Sequence, residues 1–280
     1  MEDDSTDSPP QPVRRALTAE EDAKRLAGLK TANGIGNWFG YRVFRALVIL
    51  VSKPFLKGRI VGLERLPQPT PRYYPKFYLR FEDSVVAESA FVIAPNHSHL
   101  LDIPLTGMIR RPMAWPSKPA FVKWWILKQI NQRVGCVPFM RDVDWVKNPE
   151  YALITYTKDE VKEVLHEALL RGQPVVLYPQ GTRRDDNSLE EAKLGAVYAA
   201  LRADVPLVPL ANYGLTKGDD APRTPILRRY QAVAVVMPAL YPRNYASLAT
   251  DRERAQAMFA DWKHSIEEGR EAARQMLASS

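Results

Sequence analysis

The chain is poor in cysteine and histidine and has no long hydrophobic run. Cys136 is the only cysteine among 280 residues, so no internal disulfide can form. A lone thiol suits a reducing compartment. Four histidines leave few imidazoles for a metal site, and there is neither a His-Glu-x-x-His stretch nor a cysteine pair. A Gly-x-Ser-x-Gly elbow is absent too, which removes one common covalent nucleophile. The longest early apolar run, Ala46–Val51, lies between Arg45 and Lys53. A spanning helix needs about 20 apolar residues, so no conventional transmembrane helix is expected. The opening MEDDSTDSPPQP lacks the basic start and apolar core of a signal peptide and reads as a disordered tail over 1–14. No internal repeat is visible.

What is present is globular in composition, with 46% hydrophobic and 25% charged residues. The length fits one large domain, or one with a small appendage. A net charge of +7 and a pI near 9.4 admit an anionic partner: nucleic acid, a phosphorylated substrate or a membrane surface. No recognition motif accompanies the charge, so no nucleic-acid partner is expected.

Residues 15–33 read as a polar helix. The stretch NWFGYRVFRALVILVSKPFLKGR, 37–59, mixes Trp38, Phe39, Tyr41 and Phe44 with Arg42, Arg45, Lys53, Lys57 and Arg59. It fits a helix lying in a membrane interface, or a core helix with exposed arginines. The chain is therefore divided into the tail 1–14, a helical membrane-associating segment 15–59, and a main domain 60–280. Within that domain, 68–85 reads as a long irregular loop.

Strand-like and helix-like segments then alternate. AFVIAP, GCVPFM, PVVLYP, VPLVPLANYG and YQAVAVVMPAL read as strands. Helices are expected over Leu101–Met108, over KPAFVKWWILKQINQ, after the Thr157/Glu160 capping box, over LEEAKLGAVYAALRA, and from about Arg252 to Leu277. Continuously apolar strands alternating with helices predict an α/β fold: a mixed, largely parallel sheet covered by helices on both faces.

NHSHLLD, Asn96–Asp102, is the densest chemistry in the chain. His97, His99 and Asp102 could clasp a metal. Alternatively, Asp102 could orient His97 as a general base. In a straight helix five positions turn about 140°, so the pair can meet only if His97 sits in a strand-to-helix turn. Asn96 or Ser98 could cap that helix. A plain turn and cap is the third reading, and spacing alone leaves all three open.

Three later blocks bear on the choice. GCVPFMRD ends a strand with Arg141. YPQGTRR ends another with Gly181, Thr182, Arg183 and Arg184. VPLVPLANYG supplies a third. Ligands of α/β sheets gather beyond strand carboxyl ends. There an arginine fork can grip phosphate and a glycine lets backbone amides approach an anion.

Together and in this order, NHSHLLD, GCVPFMR, YPQGTR and VPLVPLA resemble the glycerolipid acyltransferase family, the lysophosphatidic acid acyltransferases in particular. The likeness covers roughly Ile60–Leu240. It implies transfer of an acyl chain from acyl-CoA or acyl carrier protein to a hydroxyl of a phosphorylated glycerolipid such as 1-acylglycerol-3-phosphate. No cofactor or metal is implied. By motif position, His97 would take the hydroxyl proton and Asp102 would orient it. Arg141 would hold the acceptor phosphate, with Gln180, Gly181, Thr182 and Arg183 completing the acceptor pocket.

The family also implies a membrane-associated protein on the cytoplasmic face. The aromatic 37–59 stretch would be one contact, and Trp124–Trp125 between Lys123 and Lys128 a second.

Two positions depart from the family. His99 stands at its serine, and Gln180 at its glutamate. Glutamine keeps an acceptor oxygen, loses the charge and gains a donor. The expectation is an altered acceptor choice. The alternatives are a non-catalytic lipid-binding relative, or a metal-dependent hydrolase centred on His97, His99 and Asp102.

Overall fold

Strands apolar on both faces need helices on both sides, and the sheet of this protein is built to that demand. A computed structural model of the chain describes residues 17–32, 46–47, 50, 56–67, 90–109, 113–118, 135–139, 151, 154–181, 183, 188–216, 219, 223–224 and 229–279. The tail 1–14, most of the aromatic 37–59 stretch, the 68–85 segment, the Trp124–Trp125 helix, Arg141, Thr182 and Arg184 lie outside the described residues. Elements are numbered over what is described.

Helix α1 (Ala19–Ala32) opens the described chain. Strand β1 (Leu56–Val61) follows, then β2 (Val92–Pro95), the short helix α2 (Asp102–Thr106), β3 (Trp115–Ser117) and β4 (Cys136–Pro138). Next come α3 (Lys158–Leu170), β5 (Val175–Val176), α4 (Gly195–Ala203), β6 (Leu207–Tyr213), β7 (Arg223–Thr224), β8 (Arg229–Val236) and the long α5 (Asp251–Ala278). The main sheet runs β1-β8-β6-β2-β5, with β7 beside β8. Its pairings are parallel except β6 with β8 and β7 with β8. A second, parallel pair, β3–β4, joins it through the bridge of Ala114 to Val175. This is the mixed, largely parallel α/β sheet expected.

Alternation along each strand divides the core. Val92 and Ala94 of β2, with Leu207 and Ala211 of β6, turn toward α3, α4 and α5, where Met258, Trp262 and Ile266 pack. Phe91, Ile93, Val208 and Leu210 turn to the other face, against Leu105, Ile109, Met113 and Leu215. Helix α5 comes close to β6 at Gly269, where a Cβ would stand 2.5 Å from that of Ala211. The buried indole of Trp262, on the same helix, donates to the Ala94 carbonyl at 2.9 Å.

Three expectations change. Leu56–Arg59, read as the end of a helical segment, are the first residues of β1, paired to β8 from Leu56 opposite Tyr230 onward. Lys57 and Arg59 sit on the exposed phase of a period-two strand while Leu56 turns inward. The main domain therefore takes in Leu56, not only residues from 60. Helix α4 begins at Gly195 and not near Leu189, because the Lys193 N–H is used on the Pro179 carbonyl, 2.8 Å away. That bond ties the segment before the helix to the loop after β5.

The capping box at the start of α3 is as read, with Thr157 and Glu160 in reciprocal hydrogen bonds.

Candidate active site

Strand β2 delivers the site and β6 locks its end. The Asn96 side chain, nearly fully buried, donates to the Asn212 carbonyl at 3.0 Å and accepts the Asn212 N–H at 2.6 Å. The Asn212 amide returns a bond to the Asn96 carbonyl at 3.2 Å. Asn96 is thus not a helix cap. Ser98 is not one either: α2 has Leu101 at its N-cap with no side-chain cap bond.

Asp102 satisfies the turn instead. Its Oδ2 accepts the Ser98 N–H at 2.7 Å and the His99 N–H at 2.8 Å, and it meets His97 Nδ1 at 3.0 Å. The turn brings together two residues that a straight helix would separate. Asp102 is fully buried, and His97 keeps only 14% of its side chain exposed.

A carboxylate only accepts, so Nδ1 carries the proton and Nε2 carries the lone pair. That is the tautomer a general base requires. Three N–H groups converge on Oδ2, which leaves that oxygen no room for a cation, while Oδ1 is buried without a hydrogen-bond partner among the described residues. His99 Nδ1 is likewise engaged, accepting the Leu101 N–H at 3.2 Å, and its ring lies 4.9 Å from that of Tyr230.

Beside β2, strand β5 brings the YPQGTR block to the turn. Val175 N–H bonds the Phe91 carbonyl and Leu177 N–H bonds that of Ile93, which sets the chain after β5 next to His97. The Tyr178 ring then lies against the imidazole of His97, centroids 4.2 Å apart and planes tilted by 35°. Burial, and next the charge of Asp102, push the Tyr178 phenol well above its ordinary range, so it stays protonated. Its hydroxyl is 3.4 Å from that of Thr106 on α2.

Gln180 is 6% exposed, and its Oε1 accepts the His97 N–H at 2.5 Å. Its Nε2 donates to the Ser188 carbonyl at 2.8 Å. The amide expected to face the acceptor is therefore engaged by protein at both ends. Gly181 has φ +66°, a left-handed conformation suited to glycine, and open space where a Cβ would point. Arg183 is exposed.

Strands β2, β5, β3 and β4 run the same way through parallel pairings and bridges. The carboxyl end of β4 at Phe139 thus lies on the same side of the sheet as His97 and Gly181. Arg141 is two positions beyond Phe139, outside the described residues. Burial pushes the Cys136 thiol on β4 up to about 12, which keeps it protonated and a poor nucleophile.

Sequence reasoning placed His97, Asp102, Gln180 and Gly181 in one site, and the structure gathers them. It assigned no role to Tyr178 or Asn212. Tyr178 opens the block quoted for the family likeness, which was the available signal. Asn212 carried none beyond its place in an apolar strand.

The Acyltransferase family model matches residues 59–212. A 1-acyl-sn-glycerol-3-phosphate acyltransferase of Chlamydomonas reinhardtii is 25% identical over 203 residues, 72% of this chain and 52% of that protein. A chloroplastic 1-acyl-sn-glycerol-3-phosphate acyltransferase of Arabidopsis thaliana is 27% identical over 164 residues, 59% of this chain and 38% of that protein. The chain thus spans about half, or less, of the length of these relatives. The crystal structure of the 1-acyl-sn-glycerophosphate acyltransferase from Thermotoga maritima shares the fold at a TM-score of 0.50 and 17% identity, over 90% of this chain and 83% of that one.

Proposed function

The chain belongs to the acyltransferase family whose model it matches, and on that premise we propose that it acylates a hydroxyl of a phosphorylated lysoglycerolipid such as 1-acylglycerol-3-phosphate. The donor is an acyl thioester of coenzyme A or acyl carrier protein. The contact between His97 Nδ1 and Asp102 Oδ2, 3.0 Å, carries this reading. The names of the relatives support the acceptor class.

Nε2 of His97 takes the acceptor hydroxyl proton as that oxygen attacks the thioester carbon. Asp102 balances the imidazolium that forms. The C–S bond then breaks, and the departing thiolate takes the proton back from Nε2. The products are the ester and the free thiol, and the imidazole is restored. The thioester is already activated, so no acyl-enzyme is needed.

Arg141, Thr182 and Arg183 would hold the acceptor phosphate, with the Gly181 backbone alongside. No helix among the described residues is long and apolar enough to cross a membrane. Attachment is assigned to the aromatic, cationic residues before β1, 37–55, and to Trp124–Trp125, on the cytoplasmic face.

The test is product mass analysis after the purified chain is incubated with acyl-CoA, or with acyl carrier protein thioester, and a panel of lysolipids. A new diacyl phosphate that disappears in His97→Ala is expected. Turnover of no lysolipid with either donor would sink the reading. In a companion experiment, the protein should sediment with anionic liposomes and be partly released by salt.

A further inference from the structure

We propose that Gln180 is a positioning residue of the reaction: its amide spans from the His97 N–H to the Ser188 carbonyl and sets where the base stands. The inference rests on the acyl-transfer reading above.

Each end of the bridge has a different chemical demand. At His97 the partner is an N–H, so Gln180 must accept. At Ser188 the partner is a carbonyl oxygen, so Gln180 must donate. Among side chains of this length only glutamine, or a protonated glutamate, does both. The bridge closes over 83 residues on one side and 8 on the other, joining the turn after β2 to the loop after β5.

It acts on the backbone of the base itself. Asp102 fixes the ring through Nδ1 and fixes the following amides of Ser98 and His99. The N–H of His97 itself is not bonded to Asp102, and Gln180 takes it. Its near-complete burial keeps water from substituting cheaply. The same Ser188 loop leads to Lys193, whose N–H bonds the Pro179 carbonyl. The bridge thus belongs to a closed ring of contacts around Tyr178–Gly181.

An ionised glutamate would satisfy His97 but turn an anion toward the Ser188 carbonyl. Among the described residues, the charged groups nearest in sequence and contact are Asp102, which opposes ionisation, and the exposed Arg183, which favours it. His97 adds positive charge only when protonated.

The test compares full-length wild type, Gln180→Met and Gln180→Glu, with oleoyl-CoA and 1-acylglycerol-3-phosphate in mixed micelles. Amide exchange of His97 is followed by NMR on histidine-labelled protein. Gln180→Met keeps the shape and removes both bonds. It should speed His97 amide exchange and lower kcat by about 10–100-fold, the scale of a misplacement near 1 Å. Acceptor KM should stay within about twofold. In Gln180→Glu, activity relative to wild type should rise as pH falls, because the protonated acid reproduces both bonds.

Retained kcat with a raised acceptor KM in Gln180→Met would make Gln180 an acceptor contact and overturn the proposal. So would unchanged His97 exchange, or a pH-independent ratio for Gln180→Glu. If wild type transfers no acyl group, the acyl-transfer reading falls, and exchange alone then decides whether the bridge holds the turn.

Discussion

The ring of Tyr178 lies against the ring of His97, with centroids 4.2 Å apart. During transfer the imidazole becomes an imidazolium, and an aromatic face attracts a cation by about 0.5–2 kcal/mol. The interaction is stronger in the charged state than in the resting one, so it belongs to the transition state and not to substrate binding. Tyr178→Leu should therefore lower kcat by roughly 3–30-fold with little change in acceptor KM. Tyr178→Phe keeps the ring and loses only a long contact to Thr106, so it should stay near wild type. Steady-state kinetics on the two variants check this. Equal loss in both would assign the effect to the hydroxyl.

His97 and His99 should separate cleanly in function, though they are two residues apart. His97 meets Asp102, while His99 accepts the Leu101 N–H and packs near Tyr230. A positioned base contributes about 10²–10⁴-fold, so His97→Ala should lose that much turnover with the fold intact. His99→Ser restores the residue type of the family and should cost less than about tenfold, an order below the loss of a base. Initial rates, with circular dichroism to check folding, decide it. A dead His99→Ser, together with zinc bound to the wild type, would favour the metal clasp.

Arg25 fastens α1 to the rest of the molecule. Its buried guanidinium donates to Asp22, to both carboxylate oxygens of Glu160 and to the Thr155 carbonyl. Arg25→Ala would strand the Thr155 carbonyl and remove charged hydrogen bonds. It should destabilise by about 1.5–3 kcal/mol, since Glu160 and Asp22 can partly return to water. Hydrogen bonding to Arg25 is the main cause holding the Glu160 carboxyl at about 2, below its ordinary 4.5. A depressed folded-state value means this contribution is fully present above about pH 4.5 and is lost as pH falls toward 2. Urea melts from pH 7 down to 2 should show a steeper acid loss in wild type than in Arg25→Ala. Parallel curves would contradict the assignment.

The sheet was legible because its strands β2, β5 and β6 are buried along their whole length and almost wholly apolar, and only a sheet covered on both faces buries such strands. The α3 start was legible because Thr157 and Glu160 stand at capping spacing. The β1 strand was hidden by its neighbours: Lys57 and Arg59 continue an aromatic, cationic run, and six residues of period two are a weak signal beside it. In the site, spacing showed that His97 and Asp102 could meet but not how. The answer is a turn whose amides fold onto one carboxylate oxygen, a tertiary outcome that no periodicity encodes. Gln180 was visible as a departure, but its direction was not. That depends on the Ser188 carbonyl, whose position is set by the path of the loop and not by a motif.

Asn96, with Ser98 one of two candidates for a helix cap, is instead a clamp between two strands, which makes its substitution informative. Its side chain donates to the Asn212 carbonyl and accepts the Asn212 N–H, both buried. Asn96→Ala leaves two backbone groups of β6 without those partners in a place closed to water, at about 1–3 kcal/mol per group. Asn96→Asp is the sharper probe. A carboxylate can still accept the Asn212 N–H but faces the Asn212 carbonyl with no donor, at a buried position. Stability should therefore fall in both variants, measured by denaturant melts. His97 directly follows Asn96, so turnover should fall with stability even at temperatures where the variants remain folded. The expected loss is about 10–100-fold, the scale of a misplaced base. If Asn96→Ala melts like wild type, the clamp contributes nothing. If it is destabilised yet turns over at the wild-type rate, the clamp serves the sheet alone and the base is positioned by Asp102 and Gln180 without it.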